Sequence, residues 1–296
     1  MLDSTRQQPR PIAGLRDIAA DYDGYLIDLW GTLHNGIAPM PGALDCLARL
    51  KAAGKRICLL SNAPRRVASV VARLDSMDVP RGLYDAVMSS GEATHRALAA
   101  RSDPWHARLG RRCLHLGPPR DDDVHEGTGL AMVERVEEAD FLLATGIDAW
   151  DETVAQHEPL LAAAAGRGLP MVCANPDLVV MVGDRMSICA GALAARYEAL
   201  GGDVFYHGKP YPSVYAECFR LLGIDRPERV LGVGDSLRTD VAGANRAGAA
   251  ALLLTGGIHA EEFALPPGAE PDAARLAEAI AREGAAPAYV AHGLVW

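Results

Sequence analysis

Short apolar runs that stop at a glycine or a small polar residue recur along this chain, with helix-patterned stretches between them. "GYLIDL" (24–29) closes just before Gly31, "RICLLSN" (56–62) ends in Ser61 and Asn62, "RVLGVGDS" (229–236) ends in Asp235 and Ser236, and "AALLLTGG" (250–257) ends in two glycines. Apolar runs without alternation are what a strand buried on both faces requires, and such strands belong to parallel sheets covered by helices. The stretches between them carry the other period. In "ALDCLARLKAAGK" (43–55) and "SVYAECFRLLG" (213–223) the apolar residues recur at helical spacing, and Val67, Val70, Val71 and Leu74 make one face of a helix that Pro64 would open. "YDAVMSS" (84–90) reads as a further strand, with Ser89 and Glu92 placed to cap the helix after it.

A middle block, 92–203, repeats the alternation with its own strands "RCLHLG", "ADFLLATG" and "LPMVCAN" and the helix "HEPLLAAAAGRG". The pattern predicts an α/β protein: a Rossmann-like, doubly wound parallel-sheet core formed by 1–91 and 204–296, with an inserted α/β domain at 92–203. At 296 residues the chain is long enough for both. "DDDVHE" (121–126) reads as a solvated loop, with a metal-binding role as the lesser alternative, and the C-terminal "AYVAHGLVW" is apolar enough to pack on the core or between chains.

The formal charge of −9 sets the chain against nucleic acid or an anionic membrane surface as its main partner. Six cysteines without CxxC spacing read as reduced thiols, several within apolar runs. No leader pattern and no membrane-length apolar stretch is evident, so a cytoplasmic protein is expected.

Chemistry in an open parallel sheet gathers beyond the carboxyl ends of the strands. That rule chooses between two acidic centres near the N-terminus. Asp28 follows Tyr25, Leu26 and Ile27 and precedes a turn, whereas Asp21 and Asp23 come before the strand and read as turn or helix-end residues. The same logic singles out Ser61 and Asn62, where a helix N-terminus would favour an anion, Lys209 after Gly208, and Asp235 with Asp240 at the start of a helix.

Taken in order, these segments resemble the four motifs of the haloacid dehalogenase superfamily, in the NagD-like, nitrophenylphosphatase-type branch (subfamily IIA) with a large α/β cap. "NPDLV" (175–179) resembles a cap segment of that branch and brings Asp177 into consideration for substrate binding. The resemblance implies a Mg²⁺-dependent hydrolase of a small phosphorylated metabolite. It assigns Asp28 as nucleophile, Ser61, Asn62 and Lys209 as phosphoryl-binding residues, and Asp28, Asp235, Asp240 and the Trp30 carbonyl as the metal site. A homodimer would be in keeping with it.

Trp30 departs from the family pattern, which places an acid–base Asp two residues after the nucleophile. An indole N–H only donates and cannot exchange a proton at neutral pH. Three readings follow: a phosphatase that is weak or specialised for good leaving groups, a phosphate-ligand binding or regulatory protein, and a dehalogenase. Asp177, His115, His125 and His157 are available as replacement acid–base groups, though nothing in the sequence aims them at the site. "GDSLRTD" retains acidic residues that a metal-free dehalogenase would not need.

Overall fold

A computed structural model describes residues 8–182, 185–260, 262–263 and 272–296. Two compact units emerge: Met1–Ser61 with Arg73–Met88 and Lys209–Trp296, and Asn62–Ala72 with Ser89–Gly208.

The first sheet has seven strands in the spatial order Arg10–Pro11, Tyr289–Ala291, Ala250–Leu254, Val230–Gly234, Gly24–Ile27, Arg56–Ser61, Ala86–Ser89. Its strands run parallel, with Ile27 opposite both Val233 and Leu59. From Gly24–Ile27 the chain winds outward in one direction through Arg56–Ser61 and returns on the other side through Val230–Gly234, so the fold is doubly wound. The crevice between those two directions is where ligands of such sheets bind.

The apolar runs behave as a two-faced burial demands. Tyr25, Ile27, Ile57, Cys58, Leu59, Val230, Leu231 and Leu253 are fully buried. Helix Ala43–Ala52 hides Ala43, Cys46, Leu47 and Leu50, one face at the expected spacing. Pro212–Leu222 and Ala273–Glu283 each end at a glycine with positive φ, and Asp272 caps the latter by accepting from Ala274 N and Arg275 N at 3.0 Å.

In the second unit a five-stranded parallel sheet runs Asp203–Tyr206, Pro170–Cys173, Phe141–Ala144, Arg112–Leu116, Ala131–Val133. Successive residues feed opposite faces. Leu114, Leu142, Met171 and Cys173 join one core cluster, and Cys113, Phe141, Leu143 and Val172 the other. An antiparallel hairpin, Val179–Val182 with Arg185–Ile188, is added to the alternation read from the sequence.

Three local readings change. The helix after Pro64 begins only at Val67 and runs to Asp75. Ser89 accepts from Glu92 N at 3.1 Å, but Glu92 turns its carboxylate to Arg66 and Arg96 instead of completing the box. "DDDVHE" is not a solvated loop: Pro119–Val124 is a 3₁₀ turn with Val124 and Asp121 buried, because Arg65 meets Asp121 at 2.9 Å and Ser69 meets Asp123 at 2.5 Å. The C-terminal segment packs on the core, Tyr289–Ala291 pairing with Ala250–Leu254. All six cysteines are buried, and none is in a disulfide. Among the described residues no helix is long and apolar enough to cross a membrane.

Candidate active site

The site of the first unit begins where the central strands run out. Asp28 N still donates to Val233 O at 2.9 Å, so Asp28 lies one step past the Gly24–Ile27 strand, as Asp235 lies one step past Val230–Gly234. Ser61 closes the next strand and is buried. Asp23, by contrast, sits before its strand and forms a two-pronged ion pair with Arg229 at 2.8 Å on the surface.

Asp240 reaches the same place through an uncommon turn. Leu237–Val241 is a single π-helical turn that Ser236 caps from Thr239 N, and wide turns of this kind re-aim a side chain. Ser236 N donates to Asp240 Oδ2 at 3.1 Å and Ile258 N to Asp235 Oδ2 at 2.8 Å, holding both carboxylates in orientation. Carboxylate oxygens of Asp28, Asp235 and Asp240 all lie within 4.8 Å of one another. Lys209 Nζ donates to Asp240 Oδ1 at 2.7 Å and also to Asp28 Oδ1. All four residues are buried.

Three glycines make that density of oxygen possible. A Cβ on Gly31 or Gly257 would collide with the Asp235 carboxylate, and one on Gly234 with the Asp240 carboxylate. Beneath the cluster the Tyr215 hydroxyl donates to Thr239 O at 3.2 Å, and its ring fits only because Gly243 lacks a side chain. Burial holds the Tyr215 phenol well above its usual range, so it stays a neutral donor.

Burial pushes the Asp28 carboxyl well above the ordinary range; Lys209 pulls it back, while Asp240 and Asp235 push it further up. Were all three carboxylates ionised, their formal balance against the one ammonium would be −3 + 1 = −2 in a buried cluster. Buried charge of that size needs a counter-ion. Hard oxygen donors converging in a cradle kept open by glycines fit a divalent cation such as Mg²⁺ or Ca²⁺, and suit zinc or copper less well.

Trp30 is locked within its own loop. Its ring lies edge-on to His34, centroids 5.4 Å apart, and covers Gly36, where a Cβ would meet the indole at 2.5 Å. Gly31 N donates to His34 O at 2.9 Å, Gly36 N to His34 Nδ1 at 3.0 Å, and Arg73 reaches Gly36 O at 2.5 Å. Burial, then Arg73, holds the His34 imidazole down at about 4, so it is neutral near pH 7. His34, Gly36 and Tyr215 went unnoticed in the sequence. The only signal for the first two was the tryptophan itself, whose bulk needs a small residue somewhere beneath it.

The remaining candidates belong to the second unit. Asn62 Nδ2 donates to Asp177 Oδ1 at 2.9 Å, and Asp177 N to Asn175 Oδ1 at 3.1 Å. His157 pairs with Glu152 at 2.7 Å. His115 and His125 both face Asp122, and burial followed by the neighbouring His125 lowers the His115 pKa.

Comparison with known proteins identifies the frame. A family profile described as haloacid dehalogenase-like hydrolase matches residues 25–131, and a second HAD-type hydrolase profile matches 206–294. The chain is similar to a haloacid dehalogenase-like hydrolase from Brucella suis 1330, with 33% identity, a TM-score of 0.82, and coverage of 96% of this chain and 100% of that one. It belongs to the haloacid dehalogenase superfamily. Within the superfamily its relatives are of the NagD-like branch, subfamily IIA. D-glycerol 3-phosphate phosphatase of Mycobacterium tuberculosis is 29% identical over 284 residues, 95% of this chain and 72% of that one. The structure of glycerol phosphate phosphatase from the same organism, in complex with calcium, has 27% identity and a TM-score of 0.61, covering 81% of this chain and 68% of that one. The chain is therefore a phosphatase-like hydrolase of the superfamily, whose phosphatases generally use a divalent metal and act on small phosphorylated substrates.

Proposed function

We propose that the protein is a Mg²⁺-dependent phosphomonoester hydrolase that works through an aspartyl-phosphate, with no acid–base carboxylate at position 30. The observation that carries this reading is Lys209 bridging Asp28 and Asp240 inside a buried triad of carboxylates. A pure binding site for phosphate would gain nothing from three acidic groups facing an anion; a nucleophile with metal ligands beside it explains all three.

In the reaction, a carboxylate oxygen of Asp28 attacks phosphorus. The new O–P bond forms as the bond to the ester oxygen breaks, and the electron pair leaves on that oxygen. Water then attacks the acyl phosphate at phosphorus as the Asp28 O–P bond breaks, its proton passing through solvent to the departed oxyanion, which frees inorganic phosphate and restores the Asp28 carboxylate. Ser61 and Lys209 would hold the phosphoryl oxygens as charge spreads over them, with Asn62 and Asp177 contributing to substrate binding. Asp28, Asp235, Asp240 and the Trp30 carbonyl would hold Mg²⁺, whose charge offsets that of the phosphoryl group.

Trp30 sets the character of the enzyme. Without a proton donor the leaving oxygen must depart as an anion, which favours aryl or acyl phosphates over alkyl ones. Residues 92–203 would form a cap over a core of 1–91 and 204–296, and the cap would choose the substrate and exclude water. A binding or regulatory protein is the second reading, favoured by an indole held fast against His34 and Gly36 where an acid–base group is expected. Phosphate release from p-nitrophenyl phosphate, measured beside trapping with Mg²⁺ and beryllium fluoride, separates the two. Release that needs both metal and Asp28 supports the enzyme. Trapping without release supports the binding protein.

A further inference from the structure

The turn that proved not to be a loop brings together a second set of metal-ligating side chains, in the second unit and independent of the phosphatase reading. His115 stands on the strand Arg112–Leu116, Asp122 in the 3₁₀ turn Pro119–Val124, and His125 directly after it. His125 N donates to Asp122 O at 3.0 Å, which closes the turn and swings the two side chains to the same side. His115 Nδ1 lies 3.3 Å and His125 Nε2 3.2 Å from a single oxygen, Asp122 Oδ1, and one ligand atom from each residue falls within 4.8 Å of the others.

Those separations have a meaning for metals. Four ligands at bonds of about 2.0–2.1 Å around tetrahedral zinc are separated by edges of about 3.3–3.4 Å. Two edges of such a tetrahedron are thus already in place, and the third, now within 4.8 Å, needs only an adjustment of the two rings. Asp122 Oδ1 can accept from both imidazoles when each carries its proton on the facing nitrogen; with those nitrogens deprotonated, the same three atoms turn lone pairs toward one point, as a cation requires.

The support around His115 argues the same way. Its far nitrogen, Nε2, meets Thr145 Oγ1 at 2.7 Å, which orients the ring and leaves Nδ1 turned to the cluster. Metal-bound histidines are commonly held by such a contact on the other nitrogen. Thr145 N donates to Leu116 O at 2.9 Å, so the hydroxyl is carried on the adjoining strand end; a Cβ on Gly117 would occupy its place. The side chains of His115 and His125 are 11% and 13% exposed and that of Asp122 41%, open enough for an ion to enter and for water to complete its coordination.

We propose that His115, Asp122 and His125 form a second metal site, selective for Zn²⁺ or a similar imidazole-binding transition ion, that pins the 119–124 turn to the strand beneath it. Two imidazoles and one carboxylate are a zinc-type donor set, unlike the all-oxygen cluster of the first unit.

The test uses the full chain, stripped with chelator and then dialysed against Zn²⁺ with saturating Mg²⁺ present to occupy the oxygen cluster. One equivalent of tightly bound zinc is expected, and Co²⁺ in its place should give the intense visible bands of a tetrahedral site. His125→Ala and Asp122→Asn should each weaken zinc binding by about 100-fold or more, and Thr145→Val, which touches no ligand atom, by about 10- to 100-fold. Asp122→Asn alters one surface group and keeps its shape, so it reads out even if a histidine variant folds poorly. Absence of tight zinc in the wild type would overturn the proposal. So would zinc that survives Asp122→Asn and Thr145→Val but is lost in Asp235→Asn, which would put the ion in the carboxylate cluster.

Discussion

The indole of Trp30 rests on Gly36: a Cβ there would meet the ring at 2.5 Å, and Gly36 has a φ of +84°, where L side chains are strained. The side chain at the acid–base position is therefore part of the packing of its own loop. Gly36→Ala should cost about 1–3 kcal/mol, the sum of backbone strain and a displaced ring. Urea unfolding would measure it. In a Trp30→Ala background the penalty should shrink toward the strain component, because the ring is no longer there to be displaced.

On the proposed mechanism the same tryptophan would govern the leaving group. Aryl phosphates should be hydrolysed far faster than alkyl phosphates of similar size, with a steep dependence of log kcat/KM on leaving-group pKa. Trp30→Asp should flatten that series and raise alkyl turnover by up to about 10²–10⁴, whereas Trp30→Asn, similar in shape but unable to exchange a proton, should not. Equal behaviour of the two variants would mean that the packing, and not the proton, limits the wild type.

Asp28→Asn should abolish turnover, a loss of about 10⁴-fold or more, and with it any covalent phosphoprotein seen by intact-mass measurement. Burial already disfavours charge at this position, so the neutral variant should fold normally and its melting temperature should not fall. Unchanged hydrolysis would remove Asp28 as nucleophile.

Chelation should silence the enzyme reversibly. EDTA followed by Mg²⁺ should restore the full rate, and Asp235→Asn should raise the Mg²⁺ concentration needed for half-maximal activity by at least about tenfold, through loss of a charged ligand. Activity that persists after exhaustive dialysis against chelator would contradict a metal-assisted mechanism.

Stability should fall on acidification through the buried His34. Its folded pKa, about 4, lies below the ordinary value of 6.5, so between these two values the unfolded chain binds the extra proton and the folded one does not. Stability from this group is complete above pH 6.5 and is lost as pH drops toward 4, a change of roughly 3 kcal/mol at most. Denaturant titrations across that range should show a shallower decline for His34→Gln than for the wild type.

What could be read from residues and what could not divide along the range of the interactions. Gly24–Ile27, Arg56–Ser61 and Val230–Gly234 declare themselves because a strand buried on both faces leaves an unbroken apolar run, and the polar residue ending each run falls at the sheet's carboxyl edge. Asp28 and Asp235 come together for that reason, whereas Asp240 joins them through the π-helical turn Leu237–Val241 and Lys209 follows a strand, Asp203–Tyr206, of the other sheet. Pro119–Val124 gave no such sign: its acidic string looks solvated until Arg65 and Ser69, more than fifty residues earlier, are found against it. The seat of Trp30 on Gly36 and His34 lies in a loop without period, where only tertiary packing decides which side chain covers which.

Asp28 and Lys209, joined in the site, stand 181 positions apart in the chain. During synthesis the first of these is made long before the second exists, and Asp235 and Asp240 follow later still. The central strand therefore waits, with an uncompensated carboxylate at its end, until the segments beginning at Lys209 and Val230 arrive to flank it. Contacts so distant in sequence form late and all together. Recovery of hydrolysis in a refolding experiment would accordingly mark the closing of the whole seven-stranded sheet, and a truncated chain ending before Val230 would leave Gly24–Ile27 paired on the Arg56–Ser61 side alone.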